Sequence, residues 1–141
     1  FSRTEILLET YSKHIKIEGL TLVEMCKKQI MPAISKYIKE LSDSVNARKA
    51  ISEDIPCEME VETIKLLSGL GSSIYEKIKQ LDEDLASANN IKRTPLELAT
   101  YYRDVIFESM QTIRVLIDEA EANTSSEAWG IPTYGDLIFH N

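Results

Sequence analysis

The side chains in this sequence that could do chemistry are few, and their spacing does not favour it. His14 and His140 are the two histidines. A di-iron helical bundle draws its ligands from Glu-x-x-His pairs on facing helices, and the residue three before His14 is Tyr11. His140 sits beside the terminus, where rigid placement is not expected. Ser72 and Ser73 carry hydroxyls, but a nucleophile needs a base within reach and neither histidine stands in a recognisable relation to them. Asp82, Glu83 and Asp84 form a run of carboxylates. Such a run is ordinarily a solvated helix face, and nothing pushes two of its members into one shared buried site.

Binding motifs fare no better. Gly69-Leu70-Gly71 lacks the third glycine and the following lysine of a phosphate cradle, and it falls inside a helical pattern. Lys27 and Lys28 are an adjacent basic pair, and no longer basic run occurs; two lysines on a helix are ordinarily solvated. Asn123-Thr124-Ser125 matches a glycosylation acceptor, but without a secretory signal it reads as accidental. Cys26 and Cys57 fit no zinc spacing and make no disulfide scaffold. Both read as small packing residues with free thiols in a reducing compartment. No catalytic, cofactor-binding or metal-ligating residue is assigned.

Composition narrows the classes further. With 141 residues the chain is one domain's worth of protein, able to bury a core without disulfides or metals. Sixteen basic against twenty-three acidic residues leave a net charge of −7, whereas nucleic-acid binding needs a positive footprint. No apolar run approaches the roughly 20 residues of a membrane span, and no charged segment followed by an apolar one opens the chain as a signal peptide would. The first residue is Phe1 rather than Met, which suggests a piece of something longer or a processed product.

The elements that would position these residues are helices, because apolar residues recur at helical intervals. Ser2 and Glu5 have capping-box spacing, and Ile6, Leu7, Tyr11 and Ile15 are expected to form one apolar face. Gly19 weakens this first helix. Thr21 and Glu24 repeat the capping-box spacing, so either a new helix starts at Thr21 or one helix continues through Gly19 at a cost of about 1 kcal/mol. The second helix runs to about Ala50 on a stripe of Val23, Cys26, Ile30, Ile34, Ile38, Leu41 and Val45, with a kink expected at Pro32. Residues 52–56 connect to a third helix opened by Glu58, Glu60 and Glu62. Its seam, Ile64, Leu67, Gly71, Ile74, Ile78, Leu81, Leu85 and Ala88, follows alternating steps of three and four, and Gly71 is expected to let a neighbour approach closely. Asn89 and Asn90 end it.

Thr94-Pro95-Leu96-Glu97 signals a fourth helix, carrying Ala99, Tyr102, Ile106, Met110, Ile113, Ile117 and Ala120 inward and closing at 123–126. The fold class is therefore all-α. The expected architecture is an up-and-down antiparallel bundle over 1–126, with three long helices, one kinked at Pro32, and a short N-terminal helix. The tail, 127–141, is irregular and aromatic, with Trp129, Ile131, Tyr134, Leu137, Ile138 and Phe139 around Pro132 and Gly135. Disordered ends are rarely so apolar, so the tail is expected to dock on the bundle or on a neighbouring subunit.

The wording of the chain carries more than its periodicity. Residues 9–13, Glu-Thr-Tyr-Ser-Lys, and 15–21, Ile-Lys-Ile-Glu-Gly-Leu-Thr, resemble the stretch leading into the C-terminal helices of type III glutamine synthetases. So do Met25-Cys26-Lys27-Lys28-Gln29-Ile30-Met31-Pro32-Ala33 and Tyr101-Tyr102-Arg103-Asp104-Val105-Ile106-Phe107. The ending from Trp129 to Phe139, Trp-Gly-Ile-Pro-Thr-Tyr-Gly-Asp-Leu-Ile-Phe, is similar to that family's C-terminus. The family more often has Ala at positions 19 and 26, departures that bear on helix packing. The resemblance implies a parent that joins glutamate and ammonia using ATP and Mg or Mn, as a large cytoplasmic homo-oligomer of stacked rings. The catalytic, nucleotide and metal residues would lie upstream of Phe1, so none is carried over. This segment would hold no cofactor, and its partners would be its own catalytic domain and sister subunits. The alternative is a free-standing helical interaction or regulatory module.

Overall fold

The structure, a computed structural model, describes residues 2–90 and 92–131. It is all-α; among the described residues there is no strand. Helix α1 (Arg3–Met25) begins where expected, with Ser2 Oγ accepting the Glu5 N–H at 3.2 Å. It then passes through a π-helical turn, Cys26–Ile30, directly into α2 (Met31–Ile51). Residues 3–51 are one uninterrupted helical run about 70 Å long at 1.5 Å per residue, so the separate short N-terminal helix does not exist.

Packing explains the continuity. Gly19 is buried, and a Cβ placed there would lie 3.2 Å from Leu85 Cδ2 and 3.5 Å from Ile106 Cγ2. Contacts of that closeness outweigh the roughly 1 kcal/mol that glycine costs a helix. Thr21 caps nothing; its hydroxyl donates back to Ile17 O at 2.8 Å, as a mid-helix threonine does. Pro32 does not break the run either. Just ahead of it the Met31 N–H reaches the carbonyl of Cys26, five residues back, so the ladder absorbs the proline in a widened turn.

After the connection at 52–57, α3 (Glu58–Asn90) spans about 50 Å. Lys49 Nζ holds that connection by donating to Glu53 O and Ile55 O, each at 2.8 Å. Leu67, Ile74, Ile78, Leu81, Leu85 and Ala88 of the expected seam are buried, while Ile64 and Gly71 are half-buried and Leu70 joins the core. The buried stripe is wider than a two-helix seam because α3 packs on the first helical run and on α5 together. At Gly71 a Cβ would meet Ile34 Cγ2 at an ordinary 3.7 Å. The close approach expected there falls at Gly19 instead.

Helix α4 (Pro95–Tyr101) opens on a complete capping box, Glu97 N–H to Thr94 Oγ1 at 3.2 Å and Thr94 N–H to Glu97 Oε1 at 3.3 Å. A second π-helical turn, Tyr102–Phe107, leads into α5 (Glu108–Ala122). All seven residues expected inward on this helix, from Ala99 to Ala120, are buried. Each large apolar side chain so buried contributes about 1.5–3 kcal/mol.

Cross-links give the directions. Lys16 Nζ donates to Asn89 Oδ1 at 3.1 Å, Lys27 lies 3.4 Å from Asp82, and Arg48 pairs with Glu60. Rising numbers on the first run meet falling numbers on α3, so the two are antiparallel. Helix α1 also packs on α4 and the second π turn. Beyond Ala33 and Ile34, α2 packs mainly on α3 and on α6 (Ser126–Trp129), which is why Ile38, Leu41 and Val45 are half-buried. Trp129 is buried, Ile131 packs on the core, and Gly130 turns the chain out of α6 at φ +57°. Residues 132–141 lie outside the described part, and with them Tyr134, Leu137, Ile138, Phe139 and His140.

Candidate docking surface

Helix α1 is apolar on two sides. Its inner side presents Ser12, Ile15, Gly19 and Leu22 to the core. At about 100° per residue, Ile6 and Ile17 stand within about 20° of each other and roughly opposite Ile15. They are 53% and 63% exposed, and Leu20 beside them is 45% exposed. The single face expected from Ile6, Leu7, Tyr11 and Ile15 is therefore divided. Ile15 goes in, while Leu7 and Tyr11 lie on the exposed flank. The angle between Ile6 and Ile15, two and a half turns, was the sequence signal for this.

The outer side is more apolar than its composition suggests. Thr10 and Thr21 donate their hydroxyls to Ile6 O and Ile17 O, each at 2.8 Å. Their polar atoms are satisfied within the helix, and the methyl groups are left for a partner. The surface continues into a shallow hollow of about 290 Å³ between Thr21, Met25 and Gln29, beside the first π turn. Its rim is an exposed ion pair, Lys28 Nζ to Glu24 Oε1 at 2.7 Å. That hydrogen bond and charge hold the Glu24 carboxyl below its ordinary range, though exposed pairs of this kind stabilise little.

The residues singled out for chemistry are not brought together. His14 is exposed on α1, Ser72 and Ser73 on α3, and Asp82 and Glu83 further along α3. Asp84 is half-buried, and its backbone carbonyl accepts the Tyr101 hydroxyl at 2.7 Å. Among the described residues no group of three or more His, Cys, Asp or Glu could hold a metal ion. Lys27 and Lys28 are each engaged by a carboxylate. Cys26 and Cys57 are free and buried, and burial pushes the Cys26 thiol up to about 12. Asn123 caps α5 through its amide, donating to Glu119 O at 2.8 Å. Among the described residues no helix is long and apolar enough to cross a membrane.

Two buried charged residues, Glu60 and Arg114, escaped the sequence reading. Glu60, read as one of three carboxylates in a first turn, has a side chain only 5% exposed and meets Arg48 of α2 at 2.5 Å.

Fold and surface together define an all-helical segment with an uncovered apolar helix face at one end. The family model "Glutamine synthetase C-terminal domain" matches residues 1–49, the first run less its last two residues. The chain is 34% identical over 139 residues to a glutamine synthetase of Butyrivibrio fibrisolvens, covering 99% of this chain and 20% of that protein. It is 28% identical to a type-3 glutamine synthetase of Dictyostelium discoideum, covering 98% of this chain and 19% of the relative. A glutamine synthetase of Bacteroides fragilis is also 28% identical, at 97% and 19%. No solved structure matches significantly. The resemblance read from the sequence is borne out: the chain is similar along nearly its whole length to glutamine synthetases, type-3 among them, and spans about a fifth of the length of the relatives it matches.

Proposed function

We propose that the segment serves structure and assembly in an ATP-dependent glutamate–ammonia ligase of type III, and holds no active site itself. The observation that carries this reading is the outer side of α1. It exposes Ile6 and Ile17 at more than half of their surface and Leu20 at nearly half, and it lies within the residues matched by the family model. A solvated helix has no physical use for a second apolar side, whereas a helix covered on both sides does. Its cover is the catalytic domain of its own polypeptide or of a sister subunit in a homo-oligomer. ATP, Mg or Mn and glutamate bind in that remaining part, in the cytoplasm. The domain division follows: 1–126 is the packed body, and 127–141 begins as a docked segment at Trp129.

The test places Ile6→Asp with Ile17→Asp in the full-length enzyme. Native mass spectrometry should show loss of the large assembly, while the 141-residue segment carrying both changes melts as the unchanged one does. An intact assembly would sink the docking assignment. Calorimetric detection of ATP binding to the isolated segment would sink the non-catalytic one.

A further inference from the structure

We propose that the cavity where α1 meets the end of α3 and the start of α4 binds a small oxyanion, a carboxylate or a phosphate. It has a volume of about 210 Å³, with Glu9, Ser12, Lys13, Lys16, Asn89 and Tyr102 in its wall. The inference stands on this geometry and does not depend on the docking role proposed above.

Ser12 is 5% exposed, and its Oγ is buried without a hydrogen-bond partner among the described residues. A buried hydroxyl left so is destabilising, and a helix offers a standing remedy, donation to the carbonyl four residues back. Thr10 and Thr21 on the same helix take that remedy; Ser12 does not. Its hydroxyl remains an unpartnered donor on a residue that lines the cavity.

The neighbours are donors too. Lys16 Nζ donates to Asn89 Oδ1 at 3.1 Å, which uses the acceptor of that amide and leaves its N–H groups available. Lys13, one turn earlier, has neither ion pair nor hydrogen bond among the described residues. Two lysines against the one carboxylate of Glu9 leave a single positive charge in excess, suited to a singly charged anion. The volume is below the 300–1,000 Å³ of pockets that hold drug-sized ligands, so a nucleotide does not fit and a small ion does. Charge-assisted hydrogen bonds from lysine and hydroxyl to an oxyanion are the strong kind.

The experiment titrates the ¹⁵N-labelled 141-residue chain with sodium phosphate and, separately, sodium acetate, at ionic strength fixed with sodium chloride. We expect saturable shifts of the Ser12, Lys13, Lys16 and Asn89 amide signals. Ser12→Ala and Lys16→Met should each weaken binding at least about tenfold. Lys28→Met, outside the cavity, should leave it unchanged. Saturation by phosphate alone assigns a phosphate, by acetate alone a carboxylate, and by both the shared oxyanion. Shifts that stay linear with both salts, or saturation undiminished in the Ser12→Ala, Lys16→Met double variant, would overturn the proposal. Lys16 is only half-buried, so its variant keeps the test sound if Ser12→Ala disturbs the fold.

Discussion

Arg48 Nη2 on α2 stands 2.5 Å from Glu60 Oε2 on α3, and the carboxylate end of this pair is the buried one. The arginine side chain keeps 39% of its surface exposed, against 5% for the glutamate. The pair thus ties the far end of the two-helix arm, where α4 and α5 no longer reach. A buried carboxylate losing its partner is costly.

This sets a pH dependence. The Glu60 carboxyl is held below its ordinary 4.5, first by a backbone N–H hydrogen bond and then by the Arg48 guanidinium. A depressed folded-state value means the contribution is complete above the unfolded value and disappears as pH falls through the folded one. Melting temperature should therefore decline below pH 4.5. Glu60→Gln should flatten that decline while lowering the melting temperature at pH 7. An acid limb identical in the two proteins would count against the pair.

Two glycines on helices should respond oppositely in size. Gly69 lies mid-helix with nothing within 4 Å of a new Cβ, so Gly69→Ala should stabilise by about 0.5–1 kcal/mol in urea unfolding. Gly19→Ala gains the same backbone term but meets Leu85 at 3.2 Å, so its gain should be smaller. With Leu85→Ala beneath it, Gly19→Ala should recover the full amount. Equal gains at both sites in the parent sequence would mean that Leu85 does not restrain position 19.

The thiols give a chemical readout of packing. Cys26 is fully buried, and its thiol is pushed up to about 12, so at pH 8 almost no thiolate forms. Iodoacetamide should leave it unmodified in the folded chain and alkylate it in denaturant. Mass spectrometry after a short native exposure settles the matter.

Trp129 is 5% exposed, with its indole N–H unpartnered among the described residues. Trp129→Ala should cost about 3 kcal/mol, the low end for such truncations, because no hydrogen bond is lost with the ring. Deleting 129–141 should cost at least as much, or change the oligomeric state by size-exclusion chromatography. Unchanged stability and unchanged size would mean that the tail does nothing in this segment.

Much of this was legible. The seam of α3 was read almost residue for residue, because alternating steps of three and four keep one side facing a neighbour. The seven inward positions from Ala99 to Ala120 were read for the same reason. The long first run was misjudged at Gly19, where local propensity argued for a boundary and a tertiary contact with Leu85 decided against it. The π turns were missed although the spacing announced them. Cys26, Ile30, Ile34 and Ile38, like Tyr102, Ile106 and Met110, advance in repeated fours. Each such step overshoots an α-helical turn by about 40°, so consecutive fours stay aligned only if the helix locally widens. The buried Glu60 and the partnerless Ser12 left no local signature, since both depend on which residues another helix brings near.

Those widened turns also mark where the chain would accept shortening. Each holds one residue more than an α-helical turn needs, so losing a solvent-facing residue there, Arg103 or Asp104 for instance, lets the ladder close at ordinary pitch without rotating the helix beyond. The same loss at Lys77, inside the regular part of α3, would swing every later side chain by about 100° and turn Leu81 and Leu85 out of the core. Natural length differences within these helices should gather at the two turns.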